Sequence, residues 1–104
     1  MDSFYMTVYN ITTLIPSGMV STYGRIAAMA GSPRAARAVG YALHSLPKDQ
    51  LATVPWQRVI NSRGKISSSG DSGRAVLQKK LLLSEGIIFG GDDTVSLKEF
   101  GWPR

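Results

Sequence analysis

Apolar residues recur at helical spacing along the first half of the chain, and proline and glycine separate the resulting segments. The first such stripe consists of Phe4, Val8, Ile11 and Ile15. This spacing predicts an amphipathic helix with one face in the core. Asp2-Ser3 can cap its start, and Pro16 and Gly18 end it.

Two further helices are predicted, with a very short turn between them. The second helix runs from Tyr23 to Ala30, with Ser21 or Thr22 as its cap. Gly31 ends it, because glycine accepts the left-handed conformation that is common at helix C-termini. Ser32 caps the third helix, with Pro33 at the first helical position, where a missing N–H costs nothing. Two helices joined in this way are typical of a helix-turn-helix.

The third helix, which Pro47 ends, has two unlike faces. Its core side consists of Ala36, Val39, Leu43 and Leu46. On the opposite side, an arc of about 80° contains Arg34, Arg37, Tyr41 and His44. Gly40 lies near this basic-aromatic stripe, and its missing side chain lets another backbone approach closely. The pattern predicts a helix that faces nucleic acid; a solvated helix face is the alternative.

Short strands and one longer helix are predicted in the second half of the chain. Pro55-Trp56-Gln57-Arg58-Val59-Ile60, a turn over 61–64 and Lys65-Ile66 form a small hairpin. A Ser/Gly-rich loop follows, and Asp71 or Ser72 caps a helix that extends to about Glu85. Its predicted inward residues are Val76, Leu77, Leu81 and Leu82 or Leu83. Residues 87–89 and 94–97 then form a second hairpin, and Trp102 packs against the core.

Length and charge favour one basic domain that spans residues 1–104. The net charge is +5, but the segment from Arg25 to Lys80 contains ten Lys or Arg and only two Asp or Glu. A basic centre of this kind predicts contact with a polyanion, whereas a solubilising surface is the alternative. No apolar run reaches the roughly 20 residues of a membrane span. We therefore expect no membrane partner.

The residues that could perform chemistry are few. The chain has one His and no Cys, so a zinc tetrad is excluded, and we expect neither metal nor cofactor. No Gly-x-Ser-x-Gly elbow accompanies His44, and Glu85 is an isolated acid that a surface position would explain. From the residues alone, a binding module is favoured over an enzyme, with no catalytic residue.

Three motifs in order resemble the DNA-binding domain of the O6-alkylguanine-DNA alkyltransferases. These are Tyr23-Gly24, Ala35-Ala36-Arg37-Ala38-Val39-Gly40 and Pro55-Trp56-Gln57-Arg58-Val59-Ile60. The agreement continues through Ile15-Pro16-Ser17-Gly18 and Leu82-Leu83-Ser84-Glu85-Gly86, so it covers about residues 4–86. The resemblance implies a mainly α fold with small β-hairpins, a winged helix-turn-helix-like DNA-binding domain as in the alkyltransferase C-terminal domain.

The chain departs from the alkyltransferases at the residues that carry their reaction. Those enzymes have Pro-Cys-His-Arg-Val where this chain has Pro55-Trp56-Gln57-Arg58-Val59, and their Cys takes the alkyl group. Trp56 in place of the nucleophile is a mark of the alkyltransferase-like proteins, and Gln57 removes the adjacent His as well. Proteins of that family bind O6-alkylguanine in DNA without repairing it and hand the lesion to nucleotide excision repair.

The resemblance also implies individual roles on the DNA side. Arg37 resembles the arginine finger that enters from the minor groove and fills the space of the flipped base. Tyr23 resembles the tyrosine that crowds the target phosphate and helps to rotate the nucleotide out. The expected DNA-binding set is completed by Arg34, Gly40 and Tyr41.

The expected alkylguanine pocket is built around Trp56. Val59 resembles a residue whose backbone contacts the guanine edge, and Ser72 resembles a pocket serine close to O6. Gln57 and Arg58 belong to the same motif, and Arg58 is expected to tie the pocket loop to the fold.

Three functions are therefore weighed. The first is recognition of O6-alkylguanine in double-stranded DNA by minor-groove docking and base flipping, by a cytoplasmic monomer (nucleoid-associated if bacterial) that marks lesions for nucleotide excision repair proteins. The second is a winged helix-turn-helix regulator without lesion specificity, which reads operator sequence. The third is an enzyme that acts on damaged bases through Glu85 or His44.

Overall fold

Helices dominate the computed structural model, which describes residues 3–67 and 72–104. The α-helices are α1 (Ser3–Thr12), α2 (Tyr23–Met29), α3 (Ala36–His44), α4 (Ser72–Ser84) and α5 (Leu97–Phe100). Lys48–Gln50 and Trp56–Arg58 form short 3₁₀ turns, and the strands are β1 (Ser21–Thr22) and β2 (Val59–Ile60). The predicted mainly α fold is confirmed. The expected caps at Asp2 and Asp71 lie outside the described residues, as does most of the Ser/Gly-rich loop. In the described part, no helix is long and apolar enough to span a bilayer.

The two strands pair in parallel, which corrects the first predicted hairpin. Ser21 aligns with Val59 and Thr22 with Ile60. The predicted turn is present, because the Asn61 N–H donates to the Lys65 carbonyl at 3.0 Å, but Lys65-Ile66 does not form a strand. Val59 and Ile60 are fully buried, as strands of parallel sheets usually are. The pairing places the Trp56–Arg58 turn, which precedes β2, beside the residues that precede β1.

The core consists of two clusters. The first gathers α1, α2 and α3 around Trp56, and Phe4 and Trp102 pack at its edge, the latter as predicted. Its buried members include Val8, Tyr9, Ile15, Ile26, Ala27, Val39, Leu43, Leu46 and Val59. The second cluster joins α4 to β2 and the C-terminal segment through Val20, Ile60, Leu82, Ile87 and Val95. Trp56 therefore belongs to the core on one side.

The predicted start of the third helix was wrong, whereas that of the second is confirmed. Thr22 caps α2, because its hydroxyl accepts from the Arg25 N–H at 3.1 Å. Helix α3 begins only at Ala36, and Ser32 is not its cap. Residues 32–35 form a turn in which the Ala35 N–H donates to the Ser32 carbonyl at 2.9 Å. Pro33 then occupies the second position of a turn, where its fixed φ is as favourable as at a helix start.

The inward face of α4 also differs from the prediction. Val76 and Leu77 are 56% and 49% exposed, whereas Gln78 is only 4% exposed. Of the two alternatives left open, Leu82 is buried and Leu83 is exposed. The helix carries apolar residues on both sides, so periodicity could not decide its orientation. The buried amide of Gln78 decides it, because it binds two backbone carbonyls of the pocket loop.

The second predicted hairpin is reduced to one antiparallel bridge between Phe89 and Val95. The Gly90 N–H donates to the Thr94 carbonyl at 2.8 Å and closes the turn. The expected strand over 94–97 gives way to α5, whose cap is Ser96. Ser96 with Glu99 three residues later is a capping-box sequence that the strand prediction overlooked.

Gly64 lies in the turn after β2, and substitution there tests how tightly this turn is packed. Gly31, which follows α2, is the control. Both have positive φ, +79° and +85°. A Cβ on Gly31 would meet nothing within 4 Å, but one on Gly64 would collide with the Val95 carbonyl oxygen. We expect Gly31→Ala to lower the free energy of unfolding by about 1 kcal/mol and Gly64→Ala by about 3 kcal/mol or more. Urea unfolding followed by Trp fluorescence measures both, and equal losses would show that the Gly64 contact is not constraining.

Candidate nucleic-acid interface

A cavity of about 540 Å³ opens between α2, α3, the Trp56–Arg58 turn and α4. The described residues that line it are Tyr23, Ala36, Arg37, Gly40, Tyr41, Leu43, His44, Ser45, Trp56, Ser67, Arg74 and Gln78. Helix α3 contributes outer residues such as Arg37 and Tyr41 and also the core-side residues Ala36 and Leu43. A volume of this size is within the usual range of small-ligand pockets, roughly 300–1,000 Å³.

The structure brings most of the predicted DNA-side residues together at this cavity. Tyr23, Arg37, Gly40 and Tyr41 all line it. Arg37 and Tyr41 are exposed, as expected for the outer face of α3. Arg34 is exposed in the turn before α3 and does not line the cavity.

Trp56 forms part of the cavity wall and is 7% exposed. The guanidinium of Arg74 lies over its ring, with Cζ 4.1 Å from the ring centroid. Arg74 Nη2 also donates to the Leu43 carbonyl at 3.0 Å, so the cation spans from α4 to the end of α3. The sequence prediction missed Arg74, because an Arg near a helix start usually indicates a solvated face.

Arg58 and Gln57 point to the other side of the loop and bind Glu85. Arg58 Nε and Nη2 donate to the two carboxylate oxygens of Glu85 at 2.9 and 3.1 Å, and Gln57 Nε2 donates to Oε2 at 2.8 Å. Arg58 Nη1 donates to the Ile15 carbonyl at 2.8 Å. Arg58 therefore ties the pocket loop to the segment after α1 and to the residue that follows α4. Glu85 is not a plain surface acid, and it does not line the cavity.

The contacts of Glu85 determine its protonation. Burial alone would raise the pKa of its carboxyl group, but the hydrogen bonds from Arg58 and Gln57 and the charge of Arg58 outweigh burial. The pKa of Glu85 is therefore held below its ordinary value of 4.5. The carboxylate stays ionised and bound.

Gln78 is the second contact that shapes the loop, and the sequence prediction missed it. Its Nε2 donates to the carbonyls of Gln57 and Val59, both at 3.0 Å. Because both partners are acceptors, the orientation of the amide is fixed. Val59 is buried in the core, and its carbonyl is presented to α4 rather than left unpaired. Its expected contact with a guanine edge stays a prediction.

The described serine near Tyr23 in the cavity wall is Ser67, whereas Ser72 was the predicted pocket serine. Ser72 is exposed at the first residue of α4 and does not line the cavity, whereas Ser67 does. Burial raises the pKa of the Tyr23 hydroxyl above its ordinary value of 10.0, and a hydrogen bond with Ser67 and the charge of Arg74 act in the opposite direction. Tyr23, Ser67 and Arg74 therefore form one polar edge of the cavity. Contact between Ser72 and a lesion stays a prediction.

Over residues 3–67 and 72–104, no group of three or more His, Cys, Asp or Glu side chains could hold a metal ion. The polar groups of the described lining residues are hydroxyls, an amide, an imidazole, the indole N–H of Trp56 and two guanidinium groups. Such a set can bind and orient an aromatic, hydrogen-bonding ligand next to the Trp56 ring.

A basic helix beside a cavity with an aromatic wall is the arrangement of a DNA-binding domain that receives a base. Residues 3–87 match the model of the protein family described as 6-O-methylguanine DNA methyltransferase, DNA binding domain. The chain therefore belongs to this family.

Within the family, the chain is similar in length and sequence to proteins named as base-flipping or alkyltransferase-like. It is 46% identical to the DNA base-flipping protein of Vibrio parahaemolyticus, over 98% of each chain. It is 44% identical to the Escherichia coli protein of the same name, covering 97% of this chain and 75% of that one. It is also 44% identical to alkyltransferase-like protein 1 of Schizosaccharomyces pombe, over 98% of this chain and 96% of that one.

Solved structures show the same relationship. The crystal structure of S. pombe Atl1 in complex with damaged DNA containing O6-carboxymethylguanine has a TM-score of 0.86 and 42% identity, over 100% of this chain and 98% of that one. The O6-methylguanine methyltransferase of Mycobacterium tuberculosis has a TM-score of 0.72 and 36% identity, over 82% of this chain and 49% of that one. The predicted family resemblance is confirmed.

The ion pair of Glu85 gives a testable pH dependence. Since its pKa is lower in the folded state, the pair stabilises the fold above the ordinary pKa, and this contribution is lost as pH falls through the lowered value. We expect Glu85→Gln to lower the free energy of unfolding by about 1–3 kcal/mol at pH 7 and to flatten its decline below about pH 4.5.

Urea unfolding at a series of pH values measures this effect. Glu99→Gln removes the same charge from an exposed position and should follow the wild-type curve. A Glu85→Gln curve that runs parallel to wild type at acid pH would contradict the assignment.

Proposed function

We propose that this protein recognises O6-alkylguanine in duplex DNA. Helix α3 docks in the minor groove, and the flipped base enters the cavity beside Trp56 without transfer of its alkyl group. The observation that carries the proposal is the position of Arg37 and Tyr23 at the same cavity whose wall contains Trp56. The names of the bacterial relatives and the damaged DNA in the S. pombe complex support it.

The energetics of flipping are compatible with these residues. Extrusion of a base costs a few kcal/mol, and less where an alkyl group has weakened its pair. Insertion of Arg37 into the gap recovers part of this cost. An aromatic contact to the extruded base contributes about 1–3 kcal/mol, and Trp56 is the aromatic ring placed to supply it.

Sequence-independent affinity comes from basic side chains outside the cavity. Arg34 is exposed next to α3, and Lys48 and Lys65 are exposed in loops. Arg25, at the start of α2, donates from Nη1 to the Pro103 carbonyl at 2.9 Å. Phosphate contacts by such residues predict binding that weakens as salt increases.

The cavity has lost the groups that transfer requires. The chain contains no Cys, and Trp56 occupies the position of the alkyltransferase nucleophile. Gln57 occupies the position of the neighbouring His, and its amide donates to Glu85. An amide cannot accept a proton at neutral pH, so the two positions that carry the reaction in the alkyltransferases hold neither a thiol nor a base. We therefore expect binding to end in a stable complex without alkyl transfer.

Such a complex serves as a signal for other proteins. We place this protein in the cytoplasm, on the nucleoid in a bacterium, as a monomer that hands the lesion to nucleotide excision repair proteins. This part of the proposal extends the family resemblance. Incision of a lesion duplex by the purified excision nuclease, with and without this protein, tests it.

Arg37 is expected to control lesion affinity. Arg37→Ala should weaken binding to a duplex with one O6-methylguanine at least tenfold, because the gap left by the flipped base is no longer filled. Fluorescence anisotropy of labelled duplexes with O6-methylguanine or guanine, in two sequence contexts, measures this loss. Lys80→Ala removes a charge from the side of α4 opposite to Gln78 and should change affinity less than twofold.

Equal wild-type affinity for the lesion and for guanine would refute lesion recognition. If affinity for undamaged duplex depended on the flanking sequence, this would instead favour a helix-turn-helix regulator that reads operator sequence.

The inactive site should not be restored by a thiol alone. We expect Trp56→Cys to remain unmethylated after incubation with O6-methylguanine duplex, because Gln57 cannot activate the thiol. Trp56→Cys with Gln57→His restores both groups and should acquire detectable label, since a His at 57 could bind Glu85. Mass spectrometry of folded protein, with folding checked by circular dichroism, measures the added methyl group. Label on the single variant would show that the base is dispensable.

A further inference from the structure

The side-chain amide of Gln78 is held in one orientation at the cavity wall. Its Nε2 donates to the carbonyls of Gln57 and Val59, at 3.0 Å in each case. Because both partners are acceptors, a flipped amide would set its oxygen against two carbonyl oxygens. Gln78 is 4% exposed and forms part of the cavity wall, so the cavity has this amide orientation before a ligand enters.

The carbonyl oxygen of the same amide has no protein partner in the described part of the chain. Over residues 3–67 and 72–104, no group donates a hydrogen bond to Gln78 Oε1. Since Nε2 is directed at the pocket loop, Oε1 is the polar atom that this side chain offers to the cavity. A ligand with a donor replaces a hydrogen bond to water there, whereas a ligand without one leaves the acceptor unsatisfied.

The other described side chains of the cavity do not duplicate this acceptor. None of the described lining residues is Asp or Glu. The guanidinium groups of Arg37 and Arg74 and the indole N–H of Trp56 only donate, whereas the hydroxyl and imidazole groups can donate or accept. Among the described lining residues, Gln78 Oε1 is therefore the one side-chain atom that accepts a hydrogen bond and cannot donate one.

An O6-alkylguanine has one group that matches a fixed acceptor. Alkylation at O6 leaves N1 without a hydrogen, so the exocyclic 2-amino group is the only N–H donor on the base. The remaining polar atoms of its edges, N1, N3, N7 and O6, are all acceptors, and the donors of the cavity can serve them. The obligatory acceptor of the cavity and the only donor of the lesion are therefore complementary.

We propose that Gln78 Oε1 accepts a hydrogen bond from the 2-amino group of the flipped O6-alkylguanine. This inference rests on the proposed function, because it concerns how the same cavity orients the base. Gln78 is then a specificity-determining residue with two roles, in which Nε2 holds the pocket loop and Oε1 selects a base with an amino group. A base with a carbonyl oxygen at this position would place two acceptors in contact, and such a base is disfavoured.

Removal of the amino group from the lesion tests the contact. The probes are duplexes with one O6-methylguanine or one O6-methylhypoxanthine, which differ only in the 2-amino group. Each is placed opposite an abasic site, so that no base pair is broken when the base leaves the stack. We expect wild type to bind the O6-methylguanine duplex about tenfold more tightly, as expected for one hydrogen bond between neutral groups. Fluorescence anisotropy of the labelled duplexes measures both affinities.

Two substitutions separate the contact from the support of the loop. Gln78→Lys retains a donor for the carbonyls of Gln57 and Val59 but has no acceptor, and Gln78→Met removes both amide groups. Both variants should reduce the ratio between the two lesions to less than twofold. Gln50→Met removes an amide outside the cavity and should leave the ratio at its wild-type value. Circular dichroism confirms that each variant is folded.

Two results would overturn the inference. One is a wild-type ratio below twofold, which needs no variant and therefore does not depend on folding. The other is a wild-type ratio that persists in Gln78→Lys, which would assign the amino group to another acceptor. Failure of the proposed function gives a different result, namely equal wild-type affinity for O6-methylguanine and guanine.

Discussion

The bidentate ion pair between Arg58 and Glu85 is the interaction on which the rest of the site depends. Arg58 engages both carboxylate oxygens and also the Ile15 carbonyl, so one side chain joins the pocket loop, the end of α4 and the segment after α1. Its charge is compensated by a carboxylate whose pKa is held low. With the loop fixed on this side, Trp56 faces the cavity on the other, and Gln78 fixes the carbonyls between them.

Under the proposed function, the same arrangement is compatible with recognition of a base without reaction. Glu85 accepts a hydrogen bond from the amide of Gln57, and this bond holds the loop. Trp56 provides a flat apolar surface that is partly core and partly cavity wall. Arg74 covers that surface and adds a charge to it. Stacking and electrostatics are the interactions that these groups offer to a base.

The sequence predicted most of the fold and about half of the site. The α3 stripe was predictable because Arg37 and Tyr41 lie opposite a continuous apolar face. The parallel pairing of the strands was missed because it joins segments far apart in the chain, and local periodicity carries no information about such partners. Gln78 and Arg74 were missed because both are polar residues on a helix with apolar side chains on both faces, where only the packed loop determines the inward side. Ser67 is adjacent to Tyr23 only after folding.

The central claim is that the damaged base lies against Trp56. The chain has two Trp residues, so Trp102→Phe leaves Trp56 as the only Trp emitter. With this variant, addition of a duplex that contains O6-methylguanine should quench Trp56 emission strongly, because stacking on a nucleobase quenches indole fluorescence. The matched guanine duplex, at concentrations that give equal occupancy, should quench it little. Equal quenching by both duplexes, or none by either when anisotropy shows binding, would contradict the account.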